Sequence, residues 1–236
     1  MKNNSMYISI VALLAAVASL IISLNSKNSG DVASALKANP EMVVEAMQDY
    51  EVQQRENAMK LVEENLAKNA DSLYNRAGDG IIGNPKGSKV LVEFFDFSCG
   101  YCRRVHPAIK QIVANNPDVK VVAKPMTFLA PISKYAAKVA LAAGEQGKFA
   151  EVYNALFEAE GRLSESKVDE LATNLGLDME KLRADMNSSK VEKTLSDASE
   201  LAAKISVNGV PTMVFNNKLL QTIDASVIQE AIDAAK

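Results

Sequence analysis

The sequence predicts an α/β fold in which a block of helices interrupts a small sheet. A strand–helix–strand pattern spans residues 90–123, an all-helical pattern runs from residue 131 to about residue 206, and a strand–turn–strand–helix pattern closes the chain. The first crossover makes a βαβ unit with a parallel strand pair. This order of elements is that of a thioredoxin fold with an inserted helical domain, and an N-terminal helical arm precedes it.

Both cysteines of the chain lie where the first predicted strand gives way to the first helix. Val90 to Phe95 is a short apolar run rich in β-branched and aromatic residues, which is typical of a strand buried on both faces. Beyond Cys102, apolar residues recur at helical spacing (Val105, Ile109, Ile112 and Val113). A C-x-x-C pair at such a junction is typical of a thioredoxin-like redox site.

The position of the two cysteines suits thiol–disulfide chemistry, in which the thiolate is the nucleophile. Unpaired N–H groups and the positive end of the dipole stabilise a thiolate at a helix start. Cys99 lies at that end, and Cys102 faces the same side of the first turn, so the two can close a short disulfide. We therefore expect Cys99 to be the exposed attacking thiol and Cys102 the more buried resolving thiol.

A structural disulfide and a metal site are the other uses that a cysteine pair can have. A four-coordinate zinc site needs four protein ligands, and His106, the one histidine of the chain, could supply only a third. Copper(I) favours thiolates. A copper-binding or copper-sequestering protein that uses Cys99 and Cys102 therefore stays open as the alternative to an enzyme.

The composition indicates a globular protein with no nucleic-acid partner. Hydrophobic residues make up 48% and charged residues 23% of the 236 positions, which is enough for a core. The formal net charge is −3 and the basic residues form no dense cluster, so we expect no binding to nucleic acid. Two cysteines cannot build a disulfide scaffold, which favours a working redox couple.

Residues 1–24 are predicted to be a signal peptide or a membrane anchor. One lysine precedes an apolar run from Tyr7 to Leu24 that no charge interrupts. Ala16-Val17-Ala18 is a pattern that a signal peptidase could cut, whereas the length of the apolar run approaches that of a membrane span. Either alternative exports the remainder of the chain to an oxidising compartment such as the periplasm, where a C-x-x-C pair can persist as a disulfide.

Residues 25–77 are predicted to be a helical region outside the catalytic domain. Asn39-Pro40-Glu41 is a strong helix start, and we expect the helix to run to about Ala70. Its apolar stripe is too thin to form a core of its own, which leaves two interpretations. The helix is a solvated arm or an extra helix on the main domain, or it is an oligomerisation element; we favour the oligomerisation element. Glycines and a proline within residues 77–88 then predict a hinge into a catalytic domain of residues 78–236.

Three motifs of that domain carry a family resemblance. An acid-plus-aromatic strand leads from Glu93 to Cys102, a segment of the helical block runs from Gln146-Gly-Lys-Phe149 to Ala155-Leu-Phe157, and the loop Gly209-Val-Pro211 precedes a strand. Together they resemble the DsbA-like thiol–disulfide oxidoreductases. This resemblance implies a thioredoxin fold with a helical insertion at about 131–188.

The dipeptide between the cysteines, Gly100-Tyr101, is similar to that of the oligomeric, N-terminally extended relatives, including proteins of the suppressor-of-copper-sensitivity C type. The resemblance implies a periplasmic enzyme that introduces disulfide bonds into exported proteins, and that isomerises them if it is kept reduced, without a cofactor. The implied partners are unfolded or misfolded exported proteins with cysteines and a membrane redox partner of DsbB or DsbD type. Residues 31–75 would build a homodimer or homotrimer.

The resemblance also implies roles for single residues around the cysteines. It places Glu93 beneath them, where the carboxylate can accept or relay the Cys102 proton, although an exposed edge position is the alternative. It implies that Pro211 is cis and faces the cysteines, with the Val210 backbone free to pair with a bound peptide. Tyr101 would belong to an apolar peptide-binding patch if it lies on the surface.

Two further charged or titratable side chains are interpreted from the residues alone. His106 lies one turn after Cys102, and it is either a solvated or helix-packed residue or one that tunes the thiolate. Lys124 follows the second predicted strand, and we interpret it as a surface charge.

Overall fold

The computed structural model describes residues 34–74, 76–220 and 224–235. The predicted signal peptide or anchor, residues 1–24, lies outside these residues. None of the helices in the described ranges is long and apolar enough to cross a membrane.

From Lys89 onwards, strands and helices follow one another in the predicted order. The strands are β1 (Gly80–Gly83), β2 (Lys89–Phe95), β3 (Val119–Pro125), β4 (Thr212–Phe215) and β5 (Lys218–Leu220). The helices are α1 (Pro40–Lys68), α2 (Ala70–Tyr74), α3 (Gly100–Asn115), α4 (Pro131–Gly144), α5 (Phe149–Glu158), α6 (Glu165–Asn174), α7 (Met179–Met186), α8 (Ser189–Lys204) and α9 (Ala225–Asp233). The thioredoxin fold with inserted helices is confirmed.

The sheet has the strand order β1-β3-β2-β4-β5, with β2 at its centre. The predicted βαβ unit is observed, because β2 and β3 pair in parallel across α3. The strands β4 and β5 form the predicted hairpin, whose turn residues Asn216 and Asn217 have φ values of 49° and 58°. Positive φ at both positions matches the twist of a two-residue hairpin, and asparagine tolerates it well.

The predicted hinge at residues 77–88 contains a strand that the sequence interpretation missed. Strand β1 pairs antiparallel with β3, from Gly80 opposite Ala123 to Gly83 opposite Lys120. A side chain at Gly80 would collide with the ring of Phe149, whose nearest atom lies 1.9 Å from the position of a Cβ. Glycine therefore marks a close approach between β1 and the inserted helices at this point, and the prediction of a hinge was wrong there.

Both faces of the central strand are buried, as predicted from its continuous apolar run. Helices α3 and α9 cover the face that carries Leu91 and Phe95. On the opposite face, residues of α1, α2 and α8 pack against β2, β3 and β4 (Leu66, Leu73, Leu201 and Ala202 against Val92, Phe94, Val122 and Val214). The cysteines belong to the first of these two clusters.

The chain divides into two compact units, residues 1–58 and residues 59–236, and α1 crosses the boundary. In the first unit the described residues are helical except at Asn39, and all of them are exposed. In the second unit, Leu66 is buried and the Asn65 amide donates a hydrogen bond to the Lys204 carbonyl. The C-terminal end of α1 thus packs on the catalytic domain, as one of the two interpretations expected.

Lys124 is a correction, because it is fully buried in β3 rather than a surface charge. Its Nζ lies 2.6 Å from Oδ2 of Asp79, whose side chain is only 2% exposed. Burial lowers the pKa of Lys124, and the Asp79 charge opposes that shift. Burial likewise raises the pKa of Asp79. This ion pair joins the segment before β1 to the sheet. A second ion pair, Arg76 with Asp197 at 2.9 Å, lies close enough for its charges to act on Lys124.

Candidate active site

The two cysteines occupy the start of α3, as predicted. Cys99 is the N-cap residue in an extended conformation, and its Sγ accepts a hydrogen bond from the Cys102 amide at 3.2 Å. Both cysteines are free thiols, and Cys102 is completely buried whereas Cys99 is 6% exposed. Cys99 is therefore the thiol that solvent reaches, although it exposes less of its surface than we expected. An amide aimed at Sγ favours negative charge on that sulfur.

The loop before β4 forms the wall opposite Cys99. The Val210–Pro211 peptide bond is cis, as the resemblance implied. The Cys99 thiol donates to the Val210 carbonyl, with 3.5 Å between Sγ and the oxygen. A peptide that reacts at Cys99 must therefore pass beside the Val210 backbone.

Glu93 lies in the middle of β2 and is completely buried, so the alternative of an exposed edge position is wrong. Its Oε2 accepts a hydrogen bond from the Tyr153 hydroxyl at 2.7 Å, and Oε1 has no partner among the described residues. Burial raises the pKa of Glu93 to about 7, and the Tyr153 hydrogen bond opposes the shift. A carboxyl group with such a pKa can exchange its proton near neutral pH.

Cys102 shares this buried environment. Burial raises the pKa of its thiol, and the negative charges of Cys99 and Glu93 raise it further. The Cys102 thiolate is thus unfavourable while Glu93 is ionised. Because each group disfavours the charge of the other, proton loss at the two sites is coupled.

Tyr153 is a site residue that the sequence interpretation missed. It comes from α5 and is enclosed by aromatic rings, with centroids at 5.2 Å to Phe95 and 4.9 Å to Phe157. Such edge-to-face contacts fix the direction of the hydroxyl. Sixty residues separate Tyr153 from Glu93, so no local pattern could have joined them.

Asp96 is a second residue that was missed. Its buried carboxylate accepts hydrogen bonds from the amides of Ser98 at 2.8 Å and Leu129 at 3.1 Å, and its carbonyl accepts one from the Cys99 amide at 2.9 Å. These bonds hold the segment that leads from β2 into the active-site helix. An aspartate side chain often accepts a hydrogen bond from the amide two residues later, as Asp96 does from Ser98. This contact was therefore recognisable in the sequence.

His106 packs inside the protein, so the interpretation as a packed residue agrees with the structure and the interpretation as a solvated residue is wrong. It is 3% exposed, forms a hydrogen bond to Oδ1 of Asn154 at 2.9 Å, and lies against the rings of Tyr153 and Phe157. Burial lowers its pKa. Across the described part of the chain, no three His, Cys, Asp or Glu side chains are placed so that they could hold a metal together.

The surface around Cys99 is apolar and basic. Tyr101 is 57% exposed, and the guanidinium of Arg104 stacks 4.0 Å from its ring centroid. Leu129, in the loop that leads into α4, is also exposed and lines the same groove as Cys99. An exposed apolar patch beside a reactive thiol is suited to contact an unfolded polypeptide.

The arrangement supports thiol–disulfide exchange at one sulfur. Cys99 faces solvent and the cis-proline loop, Cys102 lies beneath it, and a buried carboxyl group acts on the charge of Cys102. A disulfide between the two would present Cys99 to an attacking thiolate and release Cys102 into the protein.

Comparisons with known proteins agree with this chemistry. Residues 90–233 match the model of the DsbA-like thioredoxin domain family. A thioredoxin-like oxidoreductase from Silicibacter pomeroyi has 36% identity and a TM-score of 0.66, covering 70% of this chain and 96% of that one. The structure of Proteus mirabilis ScsC in a transitional conformation has 26% identity and a TM-score of 0.67, covering 93% of this chain and 96% of its own.

Several curated relatives are much longer proteins. The Na⁺/H⁺ antiporter NhaA 1 of Salinispora arenicola is 28% identical over 142 residues, which is 59% of this chain and 22% of the antiporter. The match to these relatives is therefore partial, and the chain spans only about a quarter or less of their length. The family model, which matches more than half of the chain, decides the assignment. The chain belongs to the DsbA-like thioredoxin family of thiol–disulfide oxidoreductases, and it is similar to members of the ScsC type.

Proposed function

We propose that the protein introduces disulfide bonds into exported proteins through Cys99 and Cys102, and isomerises such bonds when it is held reduced. The observation that carries the proposal is the position of Cys99, which lies beside the cis-proline loop and accepts a hydrogen bond from the Cys102 amide. These contacts give one sulfur both access to a polypeptide and support for negative charge.

Oxidation of a client proceeds in two exchange steps. A client thiolate attacks Sγ of Cys99 in the Cys99–Cys102 disulfide, so that a mixed disulfide forms and Cys102 leaves as a thiolate. That thiolate takes up a proton, because burial disfavours its charge. A second client thiolate then attacks the client sulfur of the mixed disulfide, and Cys99 leaves with the electron pair. The client gains a disulfide, and the enzyme gains two electrons.

Glu93 is proposed to hold and release the proton that Cys102 requires. Its raised pKa, about 7, places this exchange near neutral pH, and Tyr153 keeps the carboxyl group in one orientation. Reoxidation of the dithiol needs a membrane partner of DsbB type. The reducing mode needs one of DsbD type.

The test of the exchange function uses Cys99→Ala and Cys102→Ala in the full chain with a reduced, unfolded model protein. Cys99→Ala should abolish oxidation. Cys102→Ala, mixed instead with a disulfide-bonded model protein, should accumulate a mixed disulfide, because the Cys99 thiolate attacks the client disulfide and no resolving thiol releases it. Unchanged oxidation by Cys99→Ala would contradict the proposal. Stoichiometric uptake of copper(I) by the wild type without any turnover would support the copper-binding alternative instead.

The helical region before the catalytic domain is proposed to join two or three chains. Exposed apolar side chains recur on one side of α1, at spacings of three and four residues (Val43, Met47 and Tyr50). Two or three copies around one client would favour isomerisation, since several active sites would face the same chain.

Charge substitutions test this assembly without truncating the chain. The double substitution Val43→Glu with Met47→Glu should lower the mass measured by light scattering to that of a monomer and reduce isomerisation while leaving oxidation intact. Gln48→Glu, at an exposed position off the stripe, is the matched control. A monomeric wild type, or an unchanged mass for the double variant, would contradict the proposal.

A periplasmic location is proposed from residues 1–24 and from the need of the disulfide chemistry for an oxidising compartment. Alkylation of intact cells tests the location and the direction of the reaction together. Cysteines trapped mostly as a disulfide indicate an oxidase, and cysteines trapped mostly as thiols indicate an isomerase or reductase. Recovery of the protein in the cytoplasmic fraction would contradict the location.

A further inference from the structure

A groove of about 610 Å³ opens at Cys99 and is separate from the cis-proline loop. One side is formed by the active-site segment from Phe97 to Arg103, and the other by the start of α4 and the loop between α5 and α6. Its volume is that of a typical binding cleft for a few side chains. Because Cys99 lines the groove, any chain joined to this sulfur has the groove within reach.

The lining of the groove combines apolar surface with positive charge. Phe97, Leu129, Ile132 and Leu163 supply the apolar surface, and the two charged residues of the lining are the arginines Arg103 and Arg162. No carboxylate lines the groove within the described residues. This imbalance in a protein of net charge −3 favours a ligand that carries negative charge.

The two arginines differ in what they can still bind. Arg103 donates a hydrogen bond to the Ala159 carbonyl, which ties α3 to the end of α5 and helps to shape the groove. Arg162 is exposed and forms no ion pair with another described residue. Its guanidinium, with five donors in a planar fork, is thus available to a carboxylate of a bound chain.

We propose that this groove binds the client segment next to the reacting cysteine, and that Arg162 selects segments in which an acidic side chain accompanies an apolar one. The inference rests on the proposed exchange function and deepens it by naming the kind of client. It concerns the first exchange step, in which the client sulfur bonds to Cys99 and the Cys99–Cys102 bond breaks. An exposed ion pair of this kind changes an encounter rate by roughly two- to fivefold, and salt screens it.

The test measures the second-order rate of mixed-disulfide formation between the oxidised full-length protein and single-cysteine peptides. The peptides carry one leucine and differ only in an Asp, Asn or Lys placed two to four residues from the cysteine, on either side. Because a neighbouring charge also alters the reactivity of the peptide thiol, each rate is expressed as the ratio of variant to wild type for the same peptide. Arg162→Glu is the main variant, and Lys86→Glu, at an exposed position outside the groove, is the control.

For the Asp peptides, Arg162→Glu should lower the rate by about three- to tenfold, and for the Lys peptides it should raise the rate, with both effects lost in about 1 M salt. Lys86→Glu should give ratios near one for every peptide. Equal ratios for the Asp and Lys peptides with Arg162→Glu would overturn the groove assignment while the exchange function stands. Absence of exchange with every peptide, in a wild type whose disulfide is intact, would instead overturn the proposed function.

Discussion

The free energy of unfolding of the wild-type protein should decrease as the pH rises from 4.5 towards 7. Replacing Glu93 by glutamine should remove this pH dependence. The carboxyl group is completely buried, one oxygen has no partner among the described residues, and burial raises its pKa from 4.5 to about 7. Glutamine keeps the size of the side chain and an oxygen for the Tyr153 hydroxyl, but it does not titrate. The substitution therefore isolates the contribution of one proton.

The direction and size of the effect follow from the two pKa values. Between pH 4.5 and 7 the folded protein keeps a proton on Glu93 that the unfolded chain releases, so the free energy of unfolding decreases as the pH rises. The contribution is fully present below pH 4.5 and is lost by about pH 7. The interval of about 2.5 units, at about 1.4 kcal/mol per unit, gives about 3 kcal/mol as an upper bound.

Glutamine also brings a buried N–H₂ group into a place where Oε1 had no partner, which costs about 1–3 kcal/mol at every pH. The informative quantity is therefore the pH dependence of the difference between Glu93→Gln and the wild type. This difference should change by up to about 3 kcal/mol in favour of the variant between pH 4.5 and 8.

Urea unfolding at pH 4.5, 6, 7 and 8 measures this difference, with a reductant present and equal protein concentrations. Far-UV circular dichroism is the suitable signal, because the chain has no tryptophan. Glu151→Gln, an exposed glutamate of α5, is the matched control and should follow the wild type throughout. A Glu93→Gln curve parallel to that of the wild type would refute the raised pKa of Glu93.

Three further contacts are tested by substitution. Tyr153→Phe removes the hydrogen bond that opposes the raised pKa of the buried glutamate, so the pH profile of thiol exchange should move to higher pH, and an unmoved profile would contradict the relay. Asp79→Ala leaves the buried Lys124 ammonium without its partner and should cost about 3–5 kcal/mol in urea unfolding, whereas Asp79→Leu combined with Lys124→Met should recover most of that loss. Leu73→Ala should cost about 2–5 kcal/mol by the same measurement, and a cost below 0.5 kcal/mol, which is about that of a surface substitution, would show that α2 does not pack on the sheet.

Features that depend on neighbouring residues were readable from the sequence. The apolar run of β2, the helical spacing after Cys102 and the cap position of Cys99 each involve a few consecutive residues. The cis bond at Pro211 was available only through family resemblance, because a proline in sequence does not state its isomer.

Features that depend on distant partners were not readable. Lys124 was interpreted as a surface charge because its ion-pair partner, Asp79, lies 45 residues earlier and no local pattern connects the two. Strand β1 was hidden because glycines usually mark turns, whereas Gly80 is required here by the ring of Phe149. Likewise, the Tyr153 hydroxyl donates a hydrogen bond to the Glu93 carboxylate in β2, and only the three-dimensional fold brings the two residues together.

The inserted helices act as part of the redox site rather than as a separate appendage. Four hydrogen bonds join them to the active-site segment, and each runs between a residue of 93–106 and one of 133–159 (Glu93 with Tyr153, Ser98 with Ser133, Arg103 with Ala159, and His106 with Asn154). The thioredoxin core supplies the two sulfurs and the cis-proline loop, but the orientation of the buried carboxyl group comes from α5. Because these bonds require the insertion to be folded, the environment of the Glu93 carboxyl group depends on a domain that contributes no cysteine. A substitution that loosens α5 should therefore alter the pH dependence of exchange before it alters access to Cys99.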